Sequence, residues 1–533
     1  MTDGIRLIDV ESLKQRLHDG CEIALLDARE EVSFGRRHLL MASCLPLSRL
    51  ELRVDDLVPR RGARVVWCDD GEGLAHKSAA RMAELGYSDV AVLDGGVTAW
   101  ESAGYRVYSG VHVPSKAFAE VVEHEAGTPW IDVAELQRLV QEGADIAIFD
   151  SRSFAEYHSN SIPGAVSVPG AELVYRFRDL VPSAETMVVV NCGGRTRSII
   201  GAQSLINAGA PNRIVSLKDG TMAWHLAGHE VVRGADRRPP PASAEGAAAA
   251  RHAIARIAER QDIRAIDRAQ LQAWRTDRTR TLYVIDVRNM EEYEAGHLPG
   301  ARPVAGGQLV QETDNHLGTW GARVVLVDDD GVRAVMTASW LKQMGWTDVA
   351  TLQMASDVDG LVVGPYRPAV LGLDAADVPQ LDVAQLRADI DSGRALVIDL
   401  ASSRDYRTGH IPGAWFAIRA RLAEALGGLP RSQRIVLTSP DGTLARLAAA
   451  DLARIADVPV AVLKGGTSAW TAAGEPLEDG AVLMASAADD VWLPARERGG
   501  DREKAMREYL AWEIDLVNQM ASDDDQRFSV LTL

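Results

Sequence analysis

The sequence predicts an α/β protein of four tandem domains, each a mainly parallel sheet covered by helices on both faces. Three observations carry that prediction. One order of signals occurs four times, and its period is the length of a domain, not of a solenoid repeat. Within each copy, short β-branched runs alternate with helical stretches, the pattern of strands joined by crossover helices. Each copy also delivers one polar residue to the end of a buried run: Cys68, Cys192, Asp328 and Ser439. Parallel sheets place their sites at the carboxyl ends of strands.

Each copy opens with a short helical segment: Ile-Asp-Val-Glu-Ser-Leu from Ile8, Ile-Asp-Val-Ala-Glu-Leu from Ile131, Ile-Asp-Arg-Ala-Gln-Leu from Ile266 and Leu-Asp-Val-Ala-Gln-Leu from Leu381. The aspartate is the expected N-cap in all four. A strand ending in aspartate follows: Asp27, Asp150, Asp286 and Asp399. The intervals between these aspartates track those between the loop residues almost residue for residue, so two independent markers keep the same register. A turn comes next, containing His38, Ser161-Ile162-Pro163-Gly164, His297 or His410. About forty residues beyond each aspartate the second β-rich run reaches its loop residue.

Three copies close on a Gly-rich turn with a tryptophan: Asp94 to Trp100, Asp219 to Trp224 and Lys464 to Trp470. The third has Gln353 to Gly360 instead, and no tryptophan there. The expected domains are therefore 1–108, 125–234, 256–368 and 377–480. Residues 235–255 hold three successive prolines and an alanine run, and read as a linker entering a helix near Ala247. This linker divides the chain into two halves of two copies each. Residues 481–533 contain apolar positions at helical spacing (Met506, Leu510, Ile514, Val517), expected to pack on the body or on a partner chain, as in a homodimer.

The 533 residues are 47% hydrophobic, enough for several cores, and carry a net charge of −18. That balance opposes nucleic acid or an anionic membrane as the main partner. Four cysteines (Cys21, Cys44, Cys68, Cys192) stand at no metal or disulfide spacing, so no metal and no cofactor are expected. The first residues show no basic-then-apolar leader pattern, and no apolar run reaches about 18 residues. A cytoplasmic protein is the expectation. Cys21 and Cys44 have apolar neighbours and read as core.

Cys192 stands apart. Met187-Val-Val-Val-Asn191 leads into Cys192-Gly193-Gly194-Arg195-Thr196-Arg197-Ser198, and a helical pattern starts at once. A thiol there faces backbone N–H groups, a helix N-terminus and two guanidiniums. All three favour the thiolate, the nucleophilic form.

Asp-x-Arg-x4-Tyr/Phe, Gly-His-Ile-Pro-Gly-Ala, strand–Cys–loop–helix and Gly-Gly-x3-Trp together resemble the rhodanese family of sulfurtransferases, over about residues 5 to 480 in four copies. The resemblance implies a thiosulfate sulfurtransferase working by ping-pong: Cys192 takes the outer sulfur of thiosulfate, or of a related persulfide donor, and passes it to cyanide or a thiol. The six-residue loop from Cys192 to Arg197 is the length rhodaneses use. Related phosphatases and arsenate reductases use a loop one residue longer. Gly193, Gly194, Arg195, Thr196, Arg197 and Ser198 would cradle the sulfur and attract the anionic donor, although the family often has glycine where Arg195 stands. Arg197 has a second reading, as a loop residue paired with a carboxylate. Asp150 and Arg152 match the Asp-x-Arg and read as a supporting pair. Arg176 and Arg178 read as solvated surface near the pocket rim.

The other copies read differently. Cys68, the alternative nucleophile, is followed by Asp69, Asp70 and Glu72, which disfavour a thiolate, so the first copy is expected to be weak or inactive. Asp328 and Ser439 cannot carry a persulfide, and the histidines are expected to be structural because the second copy has Ser161 in their place. A non-catalytic persulfide carrier or sensor platform serving a protein partner is the competing function.

Overall fold

A computed structural model describes residues 4–354, 360–374 and 377–531. Most of the divergent segment Gln353–Gly360 lies outside them. Four five-stranded sheets are present, all pairings within them parallel, and each has the same strand order, with the first and fifth strands of the copy on one side of its fourth and the second and third on the other. The fourth strand of each copy is therefore central. These strands are Arg64–Cys68, Met187–Asn191, Arg323–Asp328 and Arg434–Thr438. Every loop residue singled out by the sequence lies at the carboxyl end of a central strand.

The helix-opening aspartates cap as expected. Asp9, Asp132, Asp267 and Asp382 accept the N–H of Ser12, Glu135, Gln270 and Gln385 at 2.7–2.8 Å. In the second copy the central strand alternates between two cores. Val188 and Val190 pack with Leu173 and Leu205 on one face, and Met187 and Val189 with Leu136 and Trp224 on the other. A strand buried on both sides has to be uniformly apolar, which is why Met187–Val190 shows no polar alternation.

The chain forms two compact units, and their composition differs from the division at the prolines. One unit combines Met1–Leu13, Ala24–Val111 and Pro368–Trp492, hence the first and fourth copies. The other combines Lys14–Ile23, His112–Arg367 and Leu493–Leu533, hence the second and third copies with their flanking segments and part of the first copy's opening helix. In the second unit the residues after the prolines form a helix, Ala244–Arg260, whose Ala250, Ile254 and Ile257 join the core shared by Leu173, Leu205, Val335 and Met336. This helix ties the two copies together through apolar burial instead of holding them on a tether.

Two helices outside the repeats also belong to the second unit. Val113–Ala126 precedes the second copy, and Arg502–Met520 follows the fourth. The buried stripe of the latter runs through Met506, Leu510, Glu513, Leu516 and Met520, whereas Ile514, expected on that stripe, is 44% exposed. Steps of three or four residues from Met506 allow either residue, and the packing buries Glu513 instead of Ile514. Among the described residues, no helix is long and apolar enough to cross a membrane.

Candidate active site

Cys192 follows the central strand Met187–Asn191 of the second copy, and the helix Thr196–Asn207 begins shortly after it. Every residue from Asn191 to Ile200 is buried, and Cys192 itself is 2% exposed. Its thiol lies 3.5 Å from the Ser198 hydroxyl, which donates to the Arg195 carbonyl at 2.8 Å. Burial pushes the thiol pKa up. The Arg197 charge and the hydroxyl and N–H of Ser198 pull it back, and Glu513 adds to the upward push.

The Gly-rich closing turn braces the loop from behind. The Cys192 carbonyl accepts Thr221 N–H at 2.9 Å and its hydroxyl at 3.0 Å, and the Gly193 carbonyl accepts Met222 N–H at 3.1 Å. Gly220 permits this approach. It has φ +54°, and a Cβ there would fall 2.3 Å from the Cys192 oxygen. Gly96 and Gly466 meet the Asp69 and Ser439 oxygens in the same way, at 2.1 and 2.0 Å. The Gly-x3-Trp motif is thus a buttress for the loop.

The two loop arginines differ in what they hold. Arg195 is 4% exposed, makes a two-pronged bond to Glu120 at 2.7 and 2.8 Å, and also binds Glu123 and Asp219. Its charge is enclosed by three carboxylates and does not face the thiol uncompensated. Arg197 binds both oxygens of Glu156 at 2.7 and 2.8 Å and the Gln308 amide oxygen at 2.8 Å, and its charge acts on Cys192. The pairing of Arg197 with a carboxylate therefore exists alongside its effect on the thiol. Thr196 donates to Glu513 at 2.6 Å. Gly194 lies under the C-terminal helix, with Met222, Glu513 and Tyr509 atoms 3.1, 3.3 and 3.5 Å from where a Cβ would sit.

Sequence reasoning missed Glu120, Lys116, Tyr509 and Glu513. The first two come from the helix ahead of the second copy and the others from the helix after the fourth. One signal was available: Glu513 is an acid on an otherwise apolar helical stripe. Lys116 is 7% exposed, with its ammonium 5.3 and 5.1 Å from the Tyr509 and Trp512 ring centres.

Asp150 and Arg152 form a closed pair beside the loop, with two side-chain bonds of 2.9 and 2.7 Å and a further bond from Arg152 to the Asn160 carbonyl. Both are at most 1% exposed. Arg176 binds Glu172 and lines a cavity of about 580 Å³ whose walls include Ser151, Ser167, Arg288, Met290 and Gln308. Cys192 is not among those walls.

The remaining loops carry their own anions or hydroxyls. Asp328 accepts Gly331 N–H at 3.0 Å and Ala334 N–H at 2.9 Å, so its carboxylate occupies the helix N-terminus of the third copy. Asp69 does the same in the first copy toward Gly71 and Ala75, and the Ser439 hydroxyl accepts Ala445 N–H at 3.3 Å in the fourth. Burial and the charge of Asp27 push the Cys68 thiol well up. His38, His297 and His410 each hydrogen-bond through Nδ1 to the carbonyl of residue 34, 293 or 406 and stack on the ring of that residue. Cys44 is half-buried and Cys21 exposed, because Cys21 falls in the turn after the first helix and outside the core expected for it.

Four copies of one parallel α/β unit, one of which sets a thiol before a helix N-terminus with no carboxylate of its own loop upon it, define a tandem rhodanese-type protein. The family model of the rhodanese-like domain matches residues 9–103, 132–227, 267–355 and 382–473. The crystal structure of a thiosulfate sulfurtransferase from Pseudomonas aeruginosa is similar over 99% of this chain and 100% of that one, with 46% identity and a TM-score of 0.96. A sulfurtransferase of Allochromatium vinosum is 31% identical over 100 residues, 19% of this chain and 92% of its own length. An HTH-type transcriptional regulator of Mycobacterium tuberculosis is 33% identical over 102 residues, and the match spans 19% of this chain and 44% of that regulator. The chain belongs to the rhodanese family and is a rhodanese-type sulfurtransferase.

Proposed function

We propose that the second copy is the working domain and that Cys192 carries the sulfur, taking it from thiosulfate or a related persulfide donor and giving it to a thiol or cyanide. The observation that carries this reading is the helix N-terminus beside each loop residue. In the first and third copies it is filled by Asp69 and Asp328, and in the fourth it is bonded to the Ser439 hydroxyl. In the second copy a thiol stands there, with Ser198 and the charge of Arg197 acting on it. The whole-length likeness to a thiosulfate sulfurtransferase supports thiosulfate as the donor.

In this reading the Cys192 sulfur attacks the outer sulfur of thiosulfate and sulfite leaves. Loop N–H groups hold the resulting persulfide, with Arg197 supplying the nearby positive charge. Arg195 shapes the loop through Glu120, Glu123 and Asp219 instead of binding the donor. Intact mass after incubation with thiosulfate tests the proposal. A gain of one sulfur, about 32 Da, should appear in the wild type and in Cys68→Ser and vanish in Cys192→Ser. A gain that survives Cys192→Ser would overturn it.

A further inference from the structure

We propose that Glu513 is the general base of the second half-reaction, taking the proton from a thiol acceptor as that thiol attacks the sulfur held on Cys192. The proposal rests on Cys192 being the sulfur carrier. It adds a residue from outside the four repeats and defines the acceptor as a thiol that arrives protonated.

The placement of the carboxylate carries the inference. Glu513 is 1% exposed, and its Oε1 is fixed to the sulfur loop by the Thr196 hydroxyl. Its Oε2 is buried, makes no well-aligned hydrogen bond among the described residues although the Tyr509 hydroxyl acts on this carboxyl group, and lies 3.3 Å from where a Cβ on Gly194 would be. A buried carboxylate oxygen without a well-aligned donor retains the capacity to accept a further proton. The other carboxylates around the loop are already engaged: Glu120, Glu123 and Asp219 with Arg195, and Glu156 with Arg197.

The groups facing Glu513 come from three elements. Thr196 and Cys192 belong to the loop, Lys116 and Glu120 to the helix Val113–Ala126, and Tyr509 to its own helix. Burial lowers the pKa of Lys116, and attraction to Glu513 works against that loss. Burial pushes the Tyr509 phenol well up, with Glu513 adding to the push, so it faces the carboxylate as a neutral hydroxyl.

The thiol step then balances as follows. The acceptor S–H bond breaks with its proton going to Glu513, and the freed electron pair forms a bond to the outer sulfur on Cys192. The bond between that sulfur and Cys192 breaks, leaving its pair on the Cys192 sulfur. The acceptor departs as a persulfide, and the proton on Glu513 passes to Cys192, restoring the thiol. No oxidant or reductant enters.

The test uses the full chain, loaded with sulfur by thiosulfate, freed of donor and mixed at neutral pH with trifluoroethanethiol, methyl mercaptoacetate or 2-mercaptoethanol. These are neutral thiols of rising pKa. Glu513→Gln keeps an oxygen for Thr196 but cannot take the proton. It should slow transfer to 2-mercaptoethanol by about 10²-fold, within the range of general-base catalysis, and transfer to trifluoroethanethiol far less. Equal slowing of all three thiols would overturn the proposal. Glu513→Asp, which keeps a carboxylate, should restore the wild-type ranking of the thiols at a lower rate, and a ranking like that of the glutamine variant would also overturn it. A wild type that never loads sulfur on Cys192 fails at the earlier step and refutes the underlying reading instead.

Discussion

Arg197 and Arg333 occupy equivalent positions in the second and third copies and make reciprocal bonds across the second unit. Each binds the capping-box glutamate of its own copy, Glu156 or Glu292, and then reaches into the other copy, to Gln308 or Glu172. Glu172 and Gln308 are equivalent positions too, so one clasp has been used twice, once at the loop of Cys192 and once at the loop of Asp328.

The two halves of the clasp differ in charge, and so will their mutants. Arg333 is fully buried against Glu172, Glu292, Asp329 and Asp330. Removing it leaves those acids facing one another, so Arg333→Met should cost about 3–5 kcal/mol, the usual loss when one partner of a buried ion pair is removed. Chemical denaturation would show an earlier first transition, and an unchanged midpoint would refute the clasp. Arg197→Met should lose less stability, because Gln308 is neutral, but should slow sulfur loading.

Acid should release the same contact. Burial pushes the Glu156 carboxyl up, but Arg197 and Ser153 outweigh it and hold it at about 2, below the ordinary 4.5. A depressed carboxyl stabilises the fold above its unfolded pKa and loses that contribution as pH falls through its folded one. Stability of the second unit should therefore decline between pH 4.5 and about 2, and that decline should be shallower in Glu156→Gln. Denaturation midpoints across this window measure the difference.

Cys192 is predicted to be a slow thiol at neutral pH. Its pKa is raised by burial, so the protonated form dominates and the thiolate fraction grows about tenfold per pH unit below the pKa. Alkylation by iodoacetamide, read at Cys192 by peptide mass, should follow that slope. Arg197→Met removes the charge that favours the thiolate and should lower the rate at every pH in the range, whereas a flat profile would contradict the thiol assignment.

Gly220→Ala tests the buttress. The new methyl would enter at 2.3 Å from the Cys192 oxygen on a backbone with φ +54°, so the loop has to move. Strain of this kind costs about 1–3 kcal/mol. Sulfur loading should fall by more than the stability loss explains, as measured by intact mass beside a melting curve. Full loading at the wild-type rate would show that the contact is dispensable.

The repeats and the loop were legible because they are local. Asp132 and Glu135 are neighbours on one helical turn, and Cys192 to Ser198 is one continuous stretch. What the sequence concealed is long-range. Arg195 looks like a donor-binding residue until Glu120 and Glu123 arrive from a helix more than seventy residues upstream. Helical spacing in the tail shows that one face is buried without showing what it meets, and the stripe alone does not join Glu513 to Thr196. The pairing of the copies was hidden for the same reason: the prolines at 239–241 mark a linker in the sequence, whereas the packing of Ile254 and Ile257 decides which cores join.

The helix Arg502–Met520 has a consequence for the order of synthesis. Thr196 leaves the ribosome more than three hundred residues before Glu513, its hydrogen-bond partner. A growing chain can fold the second sheet and present its thiol long before the covering helix exists. The Cys192 loop therefore receives its last neighbours only after all four copies have been translated, and a chain released before Arg502 would leave Gly194 and Thr196 without them.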